Sequence, residues 1–505
     1  MPFRTTATRF RPEARATEGS SRPFHHPSAR STRRSSGMYV DPRDLLRRHF
    51  GYPDFRPGQE ELVCAVLGGR DALGVLPTGG GKSVCYQVPA LALGGLTLVV
   101  TPLVSLMQDQ VRRAVEAGLR GAFLSATQSA GERRETLSRA RHGALDVLFV
   151  APERLEIPAF RDELKALDVR LLAVDEAHCI SEWGHEFRPC YRRIGLLRTL
   201  LRCPTLALTA TATPDVRDDI LASLALEDPW VEVRSFDRPN LSWTVRRAGA
   251  FQDRARETYR LLARRPGPAI VYAPTRGTVE MIRDLLAGFG VSAQAYHAGL
   301  SGPARTAVQD TFMEGGCRVV VATNAFGMGI DKADVRTVVH ISLPATLEAY
   351  YQEAGRAGRD GEDSACVAFY SLADLRRARD MIDLAHPPRG VLLKALRRLR
   401  RGQGGGVAAV MEALARAGAV TRPLSSHDGT ADLSGVFHDT WVYVDHRVDV
   451  SPLLLRRDVV VSKLKAVRRF ARTLGCRRGA LLRYFGERAP DRCGRCDRCR
   501  RTLSF

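Results

Sequence analysis

"DALGVLPTGGGKS" occupies residues 71–83, and the fold turns on how it is read. Its first half is apolar without alternation, as expected of a strand buried on both faces of a parallel sheet. Three consecutive glycines then make a tight turn, and the apolar run that follows Ser83 reads as a helix. Such a strand–turn–helix aims backbone N–H groups and a helix N-terminus at one point, a cradle for phosphate. Thr78, Gly79, Gly80 and Gly81 would form the cradle, with Lys82 reaching the outer phosphates and Ser83 holding magnesium. Leu76 stands where the full phosphate-loop pattern has its first glycine. A plain glycine turn with an exposed lysine is the alternative reading.

Four more runs of the same texture follow: "LTLVVTPL" (96–103), "DVLFVAPER" (146–154), "RLLAVDEAH" (170–178) and "TLALTATAT" (205–213). Each ends in a small or polar cluster, where open α/β sheets place their ligands. Helical stretches such as 105–117 and 130–140 separate several of them. A second series comprises "AIVYAPTR", "SAQAYHAGL", "CRVVVATNAFGMGID", "TVVHISLP" and "ACVAFYS". Two sheets of similar size, joined near "SFDRPNLSW" (235–243), imply two α/β lobes with a cleft between them. Beyond residue 371 the texture changes to helices at 390–401 and 405–420, an alternating stretch at 434–448, and more helix over 453–485.

The third of these four runs delivers Asp175 and Glu176 about ninety residues after Lys82. One acid to hold magnesium and one to act on an attacking water are what phosphoryl transfer needs. "HCISEWGHEFRPCYRR" (178–193) then crowds aromatics and arginines into a short span directly after the acids, which raises the question of what they serve. For Tyr191 a place in the core is one reading. Near the end, Cys476, Cys493, Cys496 and Cys499 have a spacing that suits tetrahedral zinc, with redox use of the C-x2-C pairs as the alternative.

The formal charge of +21 is unevenly placed. Residues 1–37 carry +6, residues 38–370 balance to zero, and residues 371–505 carry +15. A neutral body with a basic tail suggests a polyanion bound at the C-terminal part, against the blander reading of an arginine-rich surface. The other seven cysteines are scattered singly, which fits a reducing compartment and excludes a disulfide framework. The uncharged stretch 83–108 is broken by Pro89, Gly94, Gly95 and Pro102, so a buried α/β core explains it better than a membrane span. Residues 1–37 have the composition of a transit peptide, but four prolines spoil an amphipathic helix. A disordered arm, or a chain starting properly at Met38, is expected there.

Together these stretches resemble the RecQ DNA helicases of superfamily 2. The resemblance runs from about residue 50 to 370 through "FGYPDFRPGQ", "TPLVSLMQDQ", "APERL", "DEAH", "TATAT", "FDRPNL", "YHAGL", "ATNAFGMGIDK" and "YYQEAGRAGRDG". That superfamily relaxes the first glycine, so Leu76 is no anomaly. The resemblance implies two RecA-like parallel-sheet lobes (38–236 and 237–371), a basic helical region (372–470) and a four-cysteine zinc module (471–505) behind a basic N-terminal extension. It implies that Tyr52 stacks on adenine while Arg56 and Gln59 bind the base or its phosphates, the Gln59 amide matching the adenine edge. His178 joins the acid pair, Asp331 joins the nucleotide site, and Gln352, Arg356 and the arginine finger Arg359 face the phosphates from the second lobe. The 178–193 stretch is then the aromatic-rich loop that links the acids to DNA. Trp183 and Phe187 are the stacking candidates, His185 belongs to the same loop, and Arg188 is the phosphate sensor.

Two departures stand out. Glu186 replaces the usual Asp, and about a hundred residues separate the second lobe from Cys476. Residues 388–450 are either a displaced winged helix or a solvated helical spacer. The chain ends six residues after Cys499, where the family often continues into further DNA-binding domains. The expectation is a monomeric, cytoplasmic, nucleoid-associated helicase. It would use ATP, Mg2+ and Zn2+ to move 3′ to 5′ on single-stranded DNA and open partly duplex DNA in recombination and repair. A translocase or annealing factor that unwinds poorly is one rival, and a zinc-dependent DNA-binding protein with a vestigial motor is another.

Overall fold

In a computed structural model, the described residues are 40–500, apart from 103, 126–127, 185, 328–331, 402–409, 412, 415–419, 422–441 and 444–448. The basic extension therefore lies outside them, as do His185 and Asp331.

The apolar runs form two parallel sheets. The first contains β1 (Ala72–Val75), β2 (Leu96–Val100), β3 (Gly121–Leu124), β4 (Val147–Val150), β5 (Val169–Val174), β6 (Thr205–Thr209) and β7 (Trp230–Val233), in the order β3-β4-β2-β5-β6-β1-β7. Every residue of β1, β2, β4 and β6 is buried, because helices cover both faces of the sheet. β5, β6 and β1 are neighbours in register, with Val174 opposite Ala207 and Val75 opposite Thr209. Strands lie about 4.8 Å apart, so the ends of β5 and β1 open within roughly 10 Å of each other. At the opposite edge Asp71 starts β1, accepting from the backbone N–H groups of Thr205 (2.9 Å) and Glu227 (3.0 Å) and pairing with Arg198.

The second sheet contains β8 (Leu241–Arg247), β9 (Ala269–Tyr272), β10 (Ala293–Tyr296), β11 (Val319–Ala322), β12 (Thr337–His340) and β13 (Ser364–Tyr370), in the order β10-β11-β9-β12-β13-β8. Periodicity did not reveal β3, β7 or β8. β7 carries exposed residues at the sheet edge, and β8 begins inside the stretch read as a joint. That joint is therefore shorter than expected, because Leu241 already pairs with Ser364.

Seven helices matter below. They are α1 (Val84–Leu93), α2 (Pro214–Ser223), α3 (Leu347–Ala354), α4 (Leu372–Ala385), α5 (Arg389–Arg400), α6 (Ser451–Arg472) and α7 (Arg477–Tyr484). Leu392, Ala395 and Leu396 of α5 form a small separate core with Val410, Met411, Ala413 and Leu414. Val420–Thr421 pairs antiparallel with Val442–Tyr443, and most of the stretch read as a winged helix lies outside the described residues. α6 and α7 are not an appendage. Phe470, Leu481, Leu482, Phe485, Cys476 and Cys496 share one continuous core with Phe236, Trp243, Tyr350 and Tyr351.

Candidate active site and nucleic-acid interface

Beyond β1 the chain enters the glycine turn, where Gly79 and Gly81 take φ of 82° and 69°. These left-handed values suit glycine alone among common residues. The turn is fixed from behind, since Gln59 Nε2 donates to the carbonyls of Gly80 and Gly81 at 2.9 Å each. Arg56 donates to the Gly79 carbonyl, and its own N–H donates to Gln59 Oε1 at 2.8 Å. In this structure the Gln59 amide is engaged with protein at both ends. The N–H groups of Gly79, Gly81, Lys82 and Ser83 have no backbone acceptor among the described residues. Thr78 Oγ1 is likewise buried without a partner there. Converging N–H groups without protein acceptors form an anion-binding concavity, so the turn is chemically ready for phosphate.

That turn lines a cavity of about 600 Å³, a size that fits a nucleotide. Tyr52, 49% exposed, stands at its wall with Arg56 and Gln59. Lys82, Ser83, Asp175 and Glu176 line its floor, and Gln352, Arg356 and Arg359 come from the second lobe. Asp109, Gln110 and Arg113 also line it; the first two lie in a stretch that carries the family resemblance, Arg113 just beyond it, and no charge or spacing rule singles them out.

Asp175 sits at the end of β5, its N–H donating to the Val100 carbonyl (2.9 Å) and its Oδ1 accepting from Glu176 N–H (2.9 Å). Burial and the adjacent Glu176 charge push the Asp175 carboxyl up to about 6, against the pull of Lys82. Glu176 adopts φ 47° and ψ 46°, a strained conformation for a residue with a side chain. His178 does not line the cavity. It lies fully buried behind Glu176, with Nδ1 2.9 Å from Thr209 Oγ1 and 3.3 Å from Glu176 Oε2.

The second lobe presents its arginines on a turn after α3. Arg238 donates to the carbonyls of Gly355 (3.1 Å), Ala357 (2.8 Å) and Gly358 (2.8 Å), and Asn240 donates to Gly358 and Glu362. Both belong to the joint between the sheets, and sequence reading gave them no role. Arg359 crosses to the first lobe: a Cβ placed on Gly79 would lie 3.5 Å from its Cγ and Cδ.

The aromatic stretch is tied to the acid pair. Tyr191 is buried, and its hydroxyl donates to the Asp175 carbonyl at 3.2 Å, so the core reading holds for it. Trp183 is 41% exposed. Phe187 is half-buried, with the guanidinium groups of Arg192 and Arg456 5.6 and 5.0 Å from its ring centre. Arg188 is engaged too, donating to the Pro102 carbonyl at 2.8 Å.

The four C-terminal cysteines bring their sulfurs within 4.8 Å of one another. Backbone N–H groups point at them: Gly479 at Cys476, Arg477 at Cys496, Arg495 at Cys493, and Cys493 at Cys499, at 3.2–3.4 Å. Burial works against the Cys499 thiolate, but the N–H groups of Cys493 and Gly494 outweigh it and bring its pKa down to about 7. Four sulfurs so placed and so hydrogen-bonded fit a closed metal site. Arg477, wholly buried, pairs with Asp497 at 2.7 Å and donates to the Phe470 carbonyl, locking the module onto α6.

The fold and site are those of a two-lobed helicase. Residues 56–220 match the DEAD/DEAH box helicase family, residues 253–361 the helicase conserved C-terminal domain, and residues 454–500 the RecQ zinc-binding family. The chain is 34% identical to the probable ATP-dependent DNA helicase RecS of Bacillus subtilis over 88% of both chains. It is 38% identical to the ATP-dependent DNA helicase RecQ of Pasteurella multocida over 90% of its own length, spanning 62% of that relative. The chain belongs to the RecQ family of ATP-dependent DNA helicases. Among solved structures, Mycobacterium smegmatis helicase Lhr bound to ssDNA and AMP-PNP shares the fold, with TM-score 0.53 and 22% identity over 75% of this chain and 56% of that one. No helix among the described residues is long and apolar enough to cross a membrane.

Proposed function

We propose that this protein is an ATP-driven motor that moves 3′ to 5′ along single-stranded DNA and separates duplexes ahead of it, in recombination and repair. It would work as a monomer at the bacterial nucleoid. The observation that carries the reading is the cavity where the glycine turn and acid pair of the first lobe meet Arg359 of the second.

In this reading Tyr52 stacks on the adenine, and Arg56 and Gln59 hold the phosphate turn in shape behind it. Thr78, Gly79, Gly80, Gly81 and Lys82 bind the phosphates, while Ser83 and Asp175 hold magnesium. Magnesium held there would neutralise charge on the phosphates. Glu176 orients the attacking water and takes its proton, with His178 fixing the carboxylate from behind. Asp331 belongs to the nucleotide site in the same reading, and His185 to the DNA loop. Gln352, Arg356 and Arg359 stabilise the charge that develops on transfer, and they reach it only with the lobes closed. Closure is thereby linked to hydrolysis, and Trp183 reports a stacked base to the acids through Tyr191. Cys476, Cys493, Cys496 and Cys499 hold one structural zinc.

Paired duplexes with single 3′ or 5′ tails test the polarity. Opening of the 3′-tailed substrate alone, dependent on ATP, is expected. Opening of the 5′-tailed one alone defeats the assignment, and ATP hydrolysis without strand separation turns the reading to a translocase or annealing factor.

A further inference from the structure

α6 lies in the stretch expected as helix beyond residue 450, and it touches both halves of the machinery. Arg456 near its start places its guanidinium 5.0 Å from the ring centre of Phe187, in the aromatic loop of the first lobe. Lys463, seven residues on, donates from Nζ to Glu348 Oε1 at 2.6 Å, and both side chains are buried. Seven residues are two helical turns, so the two contacts share one stripe about 10 Å apart. Glu348 lies in α3, one turn before Gln352, and the arginine turn follows directly.

The two joints differ in kind. The Lys463–Glu348 pair is dry, so parting it strands a charge in the core, and the two helices are bound to move together. The Arg456 joint is loose. Its Nη1 is buried with no acceptor among the described residues, and its guanidinium lies over the ring of Phe187 with the Glu182 charge nearby. A strand that shifts Phe187 on stacking would move the Arg456 guanidinium, and the start of the helix with it.

We propose that α6 is a strut that carries occupancy of the aromatic loop to the arginine-bearing end of α3, with Arg456 and Lys463 as its positioning residues. The inference rests on the reading of the protein as a DNA-stimulated ATPase. It adds a second route between loop and cavity, independent of Tyr191.

The test measures ATP turnover with and without oligo-dT, beside melting curves, for the wild type, Arg456→Ala, Arg456→Lys, the charge-free pair Glu348→Gln/Lys463→Met, and the triple variant. Arg456→Ala is expected to keep basal turnover, melting temperature and half-saturating DNA concentration near wild type, while maximal stimulation falls about tenfold. Arg456→Lys should restore part of it, since a cation remains over the ring. Adding Arg456→Ala to the charge-free pair should cost little more than the pair alone, because either break interrupts one strut. Full stimulation of Arg456→Ala, loss in step with basal turnover and melting temperature, or multiplying losses in the triple variant each overturn the strut. A wild type that oligo-dT does not stimulate fails the functional reading itself and takes the strut with it.

Discussion

The two lobes share a sheet architecture but present their working residues differently. In the first, Lys82 and the acid pair hang directly from β1 and β5, two strands apart in one rigid sheet. In the second, Arg356 and Arg359 follow a helix, on a turn whose shape is imposed by Arg238 and Asn240 from the joint. Groups that hold a nucleotide through a cycle gain from a fixed frame. Groups that enter and leave gain from a turn whose position depends on the joint between lobes.

Lys82→Ala breaks the fixed half and should have the largest effect, abolishing ATP hydrolysis while leaving single-strand affinity largely intact. Equal loss of both in turnover and binding assays would remove the distinction between nucleotide and DNA sites. Arg359→Ala breaks the moving half. Nucleotide affinity should stay nearly normal while turnover falls roughly 10³-fold or more, as on losing an arginine finger; unchanged turnover removes Arg359 from the site.

Cys496→Ser attacks what the joint leans on. Metal analysis should find about one zinc per wild-type chain, and the variant should lose soluble protein, because ligand binding contributes directly to folding. Phe236 stacks on Phe485 at 4.3 Å, so the damage should spread to the joint rather than stay in the module. A zinc-free protein of normal stability excludes the metal.

Trp183→Ala leaves both halves intact and should lower DNA stimulation about tenfold, the worth of a lost base stack. Basal turnover and melting temperature are expected to persist; a folded variant still fully stimulated disproves the coupling role. The smallest effect is expected for Arg238→Gln, which weakens three carbonyl contacts without touching the cavity. Turnover should fall several-fold with little change in nucleotide affinity, since Gln keeps a neutral donor there and a typical hydrogen bond contributes only about 0.5–1.5 kcal/mol. A larger change in affinity than in turnover would show that the turn belongs to the fixed half.

The sheets, the phosphate turn, the acid pair and the cysteine quartet were legible because each is local. A doubly buried strand needs a run of apolar residues, a left-handed turn needs glycine, and a closed metal site needs its ligands at short spacings. What sequence could not reach depends on side chains meeting across long separations. The Gln59 amide has a plausible ligand by chemistry alone, and only the fold shows its bonds to loop carbonyls 21 and 22 residues away. Phe187 is a stacking candidate by composition, and only the fold brings Arg456, distant in sequence, over its ring. Arg238 and Asn240 were part of a recognised motif without a task, since their acceptors lie about 120 residues on. Lys463 looked like one more charge in a basic tail, and only packing against α3 made it a buried partner of Glu348. Local backbone demands are written in neighbouring residues; which polar group answers which is decided only when the chain closes on itself.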